Sequence, residues 1–442
     1  RSLKLAVVGH PQVGSPIVAV HDTEFSHYLE HQWETVEKNK SAQTITKIVS
    51  EDAIYMPTES EIGKMLKLTI TPIGRDELRG VSMSYIHKHV ISDGETPEIL
   101  KFRENYVPLN LPCFRVASYN ILADRYCDSD FSAKYLYPFC PRKWLNLSYR
   151  IQIVIKELLA YKCDVICLQE CDKKSFDNVL KHVFKAYGFN GLFKSKCGAS
   201  AEGSASFFNE SKFLIESEKD FNFKDEIGNM EVFKQVYKRF PHLFQILTKN
   251  LTTICQITIL KQKETSIQII IANTHLFFHP DAAHIRTIQM VCLTDQIKKI
   301  KEKIEGEGFE CGVIICGDMN SVPQSSVQYM KGVDLNWQHL CWTHTGRFEW
   351  GEKYFKKEIE GERIVDEDTA EMIAHSSKSS KNEEELTLEE KSVLEEVIPN
   401  LKLDIELFEA SGDPPFTNFT PTFTEKLDYI FAESNKFETI SK

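Results

Sequence analysis

A chain of 442 residues with 42% hydrophobic content has room for one large domain and a smaller one. Its net charge of −11 argues against coating long nucleic acid through counterion release, while a pocket for one strand end remains compatible with it. Twelve cysteines with no paired C-x-x-C spacing make neither a disulfide scaffold nor a zinc site, and no apolar run reaches the length of a membrane span.

Along the chain, the first hundred or so residues read as strands. In "MLKLTIT" Leu66, Leu68 and Ile70 alternate onto one face, and in "VSMSYIH" Val81, Met83 and Tyr85 do the same. Residues 1–105 are expected to form a small β-rich module, and 106–112, with Pro108 and Pro112, a linker to a larger domain over 113–442. There strands alternate with helices. "FRVASYN" ends at Asn120, "LSYRIQIVIKELLAYK" places Leu147, Ile151, Val154, Ile155 and Leu158 on one helical face, and "CDVICLQE" ends at Glu170. Cys163, Cys167 and Cys171 fall in that strand and its flanks, and are expected as small buried hydrophobes. "TICQITIL" and "SIQIIIANTH" flank the turn-like "KQKETS", and the second ends at His275. A long amphipathic helix follows from Asp281 as N-cap, with Ile285, Ile288, Leu293, Ile297, Ile300 and Ile304 inward. Hairpins mixed with helices predict antiparallel sheets covered by helices, a layered α/β sandwich. Residues 351–396 are charged and poor in apolar side chains, which predicts a mobile acidic insertion.

The chemistry sits at strand ends. "VIICGDMNSVP" runs four apolar residues into Cys-Gly and then sets Asp318 and Asn320 two positions apart, where a continuing strand would point them to one face. A single polar strand end is ordinary turn chemistry. Here Asn120, Glu170, His275, Asp318 with Asn320, and Asp428 in "KLDYIF" each close or open an apolar strand, and strands of one sandwich bring such ends together. Carboxylate and amide oxygens without thiolates suit a hard cation, Mg²⁺ or Mn²⁺. A carboxylate not occupied by metal can deprotonate water, and a His can stabilise phosphate oxygens, so the set predicts metal-assisted phosphoester hydrolysis.

In order over Phe114 to Phe431, "SYNILAD", "VICLQE", "ANTHLFFHP", "CGDMNSVP" and "LDYIF" resemble the motifs of the endonuclease/exonuclease/phosphatase superfamily. "LYPFCP", "HLFFHP" and "IRTIQM" resemble its deadenylase branch, including the 2′,5′-phosphodiesterases. The resemblance implies a four-layer α/β sandwich preceded by the β-rich module, and a Mg²⁺-dependent 3′ exoribonuclease acting on poly(A) tails and 2′,5′-linked oligoadenylate to give 5′-AMP. It implies RNA 3′ ends as partners, no membrane, and the mitochondrial matrix as compartment. By position, Glu170 would be the principal metal ligand with Asn120 beside it, and His275 would contact the scissile phosphate. Asp318 would orient the attacking water and adjoin the metal, Asn320 would bind phosphate or metal, and Pro280 and Phe423 would sandwich the terminal adenine. Two other readings stay open: a superfamily phosphatase or lesion endonuclease, and a catalytically dead RNA-binding paralogue.

Two departures qualify the match. The family closes with a Ser-Asp-His motif whose His pairs with the Asp matched by Asp428, and no His follows Asp428 here. Together with Arg1 in place of Met, this leads us to expect truncation at both ends, a missing last strand, and an unpaired sheet edge at "LDYIF". Ser204, in "EGSASFF", stands where the family carries Leu or Cys, which bears on substrate preference.

Overall fold

The computed structural model of the chain describes residues 2–23, 26–39, 41–92, 103, 105–127, 129–130, 132–198, 200–265, 267–343 and 387–440. It divides into two compact units, Arg1–Leu109 with Asn146–Cys163 and Lys174–Gly191, and Asn110–Leu145 with Asp164–Lys173 and Leu192–Lys442.

The first unit holds β1 (Ser2–Val8), β2 (Ile17–Thr23), β3 (Tyr28–Lys38), β4 (Thr44–Ser50), β5 (Ile54–Tyr55), β6 (Met65–Ile73) and β7 (Met83–His89). They form two sheets, of order β1-β2-β5 and β4-β3-β6-β7. Leu66, Leu68 and Ile70 are buried on one face, as their alternation predicts, with Trp33 and Tyr55 stacked 5.6 Å apart in the same core. The second alternation holds only in part. Its strand starts at Met83, which packs on the core, whereas Val81 lies before the strand and is 83% exposed, and Tyr85 is 37% exposed. β7 is a sheet edge, so the core reaches only one flank of it. Helix α1 (Leu147–Ala160) belongs to this unit; Asn146 caps it by accepting from Ser148 N–H at 2.9 Å, and Ile151, Val154, Ile155 and Leu158 are buried as predicted.

The second unit is built on two sheets. One runs β10 (Phe189–Ser195), β11 (Glu202–Asn209), β9 (Val165–Asp172), β8 (Val116–Asn120). The other runs β12 (Phe213–Glu218), β14 (Ile254–Gln262), β15 (Gln268–His275), β16 (Cys311–Asp318), β20 (Asp428–Glu433), β17 (Leu407–Glu409), with β13 (Phe221–Asn222) also on β14. A further hairpin joins β18 (Asn418–Phe419) to β19 (Thr424–Glu425). The two sheets face each other across Val165, Cys167, Phe208, Ile269, Ile271, Ile314 and Cys316. The opposite faces of the same strands, through Ile270, Ala272, Val313 and Ile315, pack under α2 (Ala283–Gly306). Burial on both faces is why these strands read as continuous apolar runs.

Several local expectations are corrected. α2 begins at Ala283 with Ala282 as N-cap, because it is Ala282 O that accepts the first helical bonds, from Ile285 N–H at 3.0 Å and Arg286 N–H at 3.3 Å. The unpaired edge expected at "LDYIF" does not form, since β17 pairs with β20 through Leu407↔Glu433, Phe408↔Ala432 and Glu409↔Phe431. Of the predicted acidic insertion, 351–386 lie outside the described residues. Residues 388–396 instead belong to α3 (Leu388–Val397), started by a Thr387/Glu390 capping box and docked through buried Leu394 and Val397. Among the described residues, no helix is long and apolar enough to cross a membrane.

Candidate active site

The topology explains why the polar strand ends meet. β8 and β9 run parallel, as do β15 and β16, so Asn120, Glu170, His275 and Asp318 all stand at carboxyl ends. β20 runs antiparallel to β16, so its first residue, Asp428, arrives at the same end. The register is strict: His275 lies opposite Asp318, and Asp318 opposite Asp428, giving one row across three adjacent strands. All six predicted strand-end residues line one cavity of about 360 Å³, together with Tyr119, Leu122, Tyr126, Tyr137 and the segment Thr417–Thr420.

Within the cavity the side chains hold one another. Asn120 Nδ2 donates to Glu170 Oε1 at 2.6 Å and to Asp318 Oδ2 at 3.1 Å, bridging carboxylates from two sheets. Glu170 Oε2 accepts from Ala123 N–H at 3.0 Å, and Asn120 Oδ1 from Leu122 N–H at 3.0 Å. Asp318 Oδ1 accepts from Asn320 N–H at 2.9 Å. Asn320 Nδ2 reaches His275 Nε2 at 2.8 Å and Leu276 O at 2.9 Å, while His275 Nε2 lies 3.8 Å from Asp318 Oδ2. Asp318 and Asn320 therefore meet through a turn, and not along a continuing strand: β16 ends at Asp318 and Asn320 sits at φ 45. Glu170 and Leu122 also adopt left-handed φ, of 51 and 58, so three residues around the site hold a conformation unfavourable for side chains with a Cβ. Gly317 is needed next to them, because a Cβ there would lie 2.0 Å from Thr274 O.

The electrostatics are one-sided. The lining carries the carboxylates of Glu170, Asp318 and Asp428, one imidazole, and no Lys or Arg. Asp428 Oδ1 is buried without a hydrogen-bond partner. Burial pushes the Asp428 carboxyl up to about 6, opposed in part by the Thr417 hydroxyl and reinforced by the charge of Glu170. Among the described residues, no group of three or more His, Cys, Asp or Glu side chains is spaced to hold a metal ion. Even so, oxygen donors of two amides and three carboxylates, one with a bare buried oxygen, match the chemistry of a hard divalent cation.

Pro280 and Phe423 are not among the cavity-lining residues. Pro280 is exposed, its carbonyl accepting from Arg286 at 3.1 Å, and half-buried Phe423 closes the turn of the 418–425 hairpin with Thr420. Ser204 is buried in β11, away from the lining. Two features escaped the sequence reading. One is the aromatic wall of Tyr137 and Phe419. The other is a buried network under the site, in which Asn273 accepts from Gln169 Nε2 at 2.8 Å and donates to Leu168 O, Ala205 O and Ser206 Oγ at 3.1–3.2 Å. It ties β15 to β9 and β11, the strands behind His275 and Glu170. Its signal was present: Ile269, Ile271 and Asn273 share the inward face of one alternation.

The chain is also similar to known proteins. The pattern of the Endonuclease/Exonuclease/phosphatase family matches residues 117–441. The chain is 29% identical over 408 residues to human 2′,5′-phosphodiesterase 12, across 88% of this chain and 56% of that protein. It is 27% identical over 334 residues to the CCR4-Not complex 3′-5′-exoribonuclease subunit Ccr4 of Candida albicans, across 72% of this chain and 36% of the relative. The chain thus spans about half the length, or less, of these relatives. Among solved structures, ANGEL2, described as a 2′,3′-cyclic phosphatase, shares the fold with a TM-score of 0.51 at 22% identity, over 73% of this chain and 84% of that one.

Proposed function

Because the chain belongs to the endonuclease/exonuclease/phosphatase family, we propose that it is a divalent-cation-dependent phosphodiesterase that removes nucleotides from RNA 3′ ends, hydrolysing 2′,5′-linked oligoadenylate and poly(A) to 5′-AMP. The names of its relatives, a 2′,5′-phosphodiesterase and a 3′-5′-exoribonuclease, support the substrate class. The carrying observation is the aligned row His275, Asp318, Asp428 facing Asn120 and Glu170, a carboxylate-rich pocket with no cationic side chain in its lining. An anionic phosphodiester would be repelled from such a pocket unless a cation entered with it.

Asp318 is the candidate base. Its two oxygens are fixed by Asn320 N–H and the Asn120 amide, which leaves remaining lone pairs aimed into the cavity to take a proton from water. Asn120 separates Glu170 from Asp318 while satisfying both, so two carboxylates coexist without an Arg or Lys between them. The Asn320 side chain, 2.8 Å from His275 Nε2, holds the ring beside Asp318. A divalent cation held by Glu170, with Asp318 and Asn320 alongside, would neutralise charge on the phosphate oxygens and acidify water.

The test offers the purified chain 2′,5′-oligoadenylate, 3′,5′-oligoadenylate, RNA ending in a 2′,3′-cyclic phosphate, and inositol phosphates, each with Mg²⁺, Mn²⁺ or EDTA. Cation-dependent release of 5′-AMP, lowered at least about 10²-fold by Glu170→Ala with unchanged circular dichroism, is the expected result. Full turnover in EDTA, undiminished turnover in Glu170→Ala, or hydrolysis confined to the cyclic phosphate or the inositol phosphates overturns the reading.

A further inference from the structure

A line of aromatic rings leads out of the cavity. Tyr137 and Phe419 both stand in its wall; Phe139 lies 6.4 Å from Tyr137 and 5.5 Å from Phe419 between centroids, and Phe416 lies 5.8 Å from Phe419. Phe139, Phe419 and Phe416 are 57%, 51% and 44% exposed, although each has an apolar face that water solvates poorly. The rings are held from below. Tyr137 N–H donates to Ser132 O at 2.8 Å and Cys140 N–H to Tyr137 O at 2.9 Å, while Phe419 is paired to Thr424 in the β18–β19 hairpin. The backbone thus presents ring faces that the core does not use.

The composition of this patch selects its occupant. The line is aromatic throughout, and its ring faces can stack on planar bases of any sequence. The segment carrying Tyr137 and Phe139 is also basic: Lys134 stands 5.0 Å over the ring of its neighbour Tyr135, and Lys143 5.6 Å over that of Trp144, on a chain whose net charge is −11. A strand whose terminal phosphodiester occupies the cavity must run out past its lining, to which Tyr137 and Phe419 belong and beside which Phe139 and Phe416 lie exposed. We propose that Phe139 and Phe416, continuing from Phe419 in the cavity wall, form a stacking path for the bases upstream of the scissile bond, an inference that rests on the phosphodiesterase reading above. It makes the protein sensitive to strand length: a dinucleotide fills only the cavity, and a longer single strand gains the path.

The experiment compares wild type, the double variant Phe139→Ala/Phe416→Ala, and the conservative Phe139→Trp/Phe416→Trp, on di- and hexa-adenylate. Stacking is present equally in ground and transition states, so its loss enters KM and not kcat. At about 1–3 kcal/mol per base, loss of two stacks should raise KM for the hexamer by at least about 30-fold and leave the dimer within about twofold, with the tryptophan pair near wild type. An unchanged hexamer KM, or equal rises for dimer and hexamer, overturns the path. Binding of a labelled, hydrolysis-resistant phosphorothioate hexa-adenylate in Mg²⁺, read by fluorescence anisotropy, separates the two readings. If wild type binds and the alanine pair does not, the path stands even where no cleavage is seen and the catalytic reading fails; if wild type does not bind, the path itself is wrong.

Discussion

Asp428→Asn probes the electrostatic design of the cavity directly. The carboxyl is raised from 3.8 to about 6 by burial, with Thr417 opposing and Glu170 adding to the effect. A group whose folded pKa lies above its unfolded one favours folding in its protonated form. Its contribution is fully present below the unfolded value, near 3.8, and is lost as pH rises through the folded value, near 6. At neutral pH the wild-type chain therefore carries a penalty of two or so pKa units, about 3 kcal/mol at most. Asp428 as a whole is only half-buried, so solvent screening reduces the penalty and about 1–3 kcal/mol is expected. Asparagine keeps the shape and never ionises. In EDTA at pH 7.5, Asp428→Asn should be more stable than wild type by that amount, a rise of several degrees in Tm. The gap should fall to roughly half by about pH 5 and nearly close by about pH 4. Mg²⁺ should stabilise wild type more than the variant, because the penalised charge then faces a cation, while turnover of the variant drops on the order of 10²-fold. Thermal scans against pH, with and without cation, decide the matter. A variant less stable than wild type in EDTA at pH 7.5, or a gap indifferent to pH, would refute the reasoning.

Other parts of the structure give sharper or simpler expectations. Asn273→Leu should cost about 2–4 kcal/mol in urea unfolding, because it strips partners from buried Gln169, Leu168 O and Ala205 O at once. Gly317→Ala should both destabilise the chain by about 2–4 kcal/mol and depress activity, since its Cβ would meet Thr274 O at 2.0 Å beside the polar row; wild-type turnover in that variant would contradict the close approach. His279 and His284 are buried neutral, burial and then Arg286 pushing His279 down to about 3 and His284 well below its usual value. The unfolded chain takes up protons below about 6.5 where these two do not, so stability should fall with acidification from there, and His279→Asn/His284→Asn should flatten that slope by up to about two protons.

What the sequence made legible was what period and strand direction control. A two-residue alternation marks Leu66, Leu68 and Ile70 as one buried face, and polar residues closing apolar runs mark Asn120, Glu170, His275 and Asp318. Where an edge strand or a loop decides the outcome, as at Val81, Tyr85 and Asp281, the local pattern carried no information about the neighbour that prevailed.

The same distinction explains the site's two less legible halves. The polar row is a register effect: Asp318 faces Asp428 only because β20 runs antiparallel beside β16, a pairing between residues 110 positions apart that no window of sequence contains. Its raised carboxyl follows from that placement and not from the composition around Asp428. The aromatic wall is harder still, because Tyr137 lies in a loop and Phe419 in a two-residue strand, too short for any period to link ring to ring. A sequence of this kind therefore displays its chemistry before its specificity, since metal and water need only the strand ends, whereas a base needs surfaces assembled from loops.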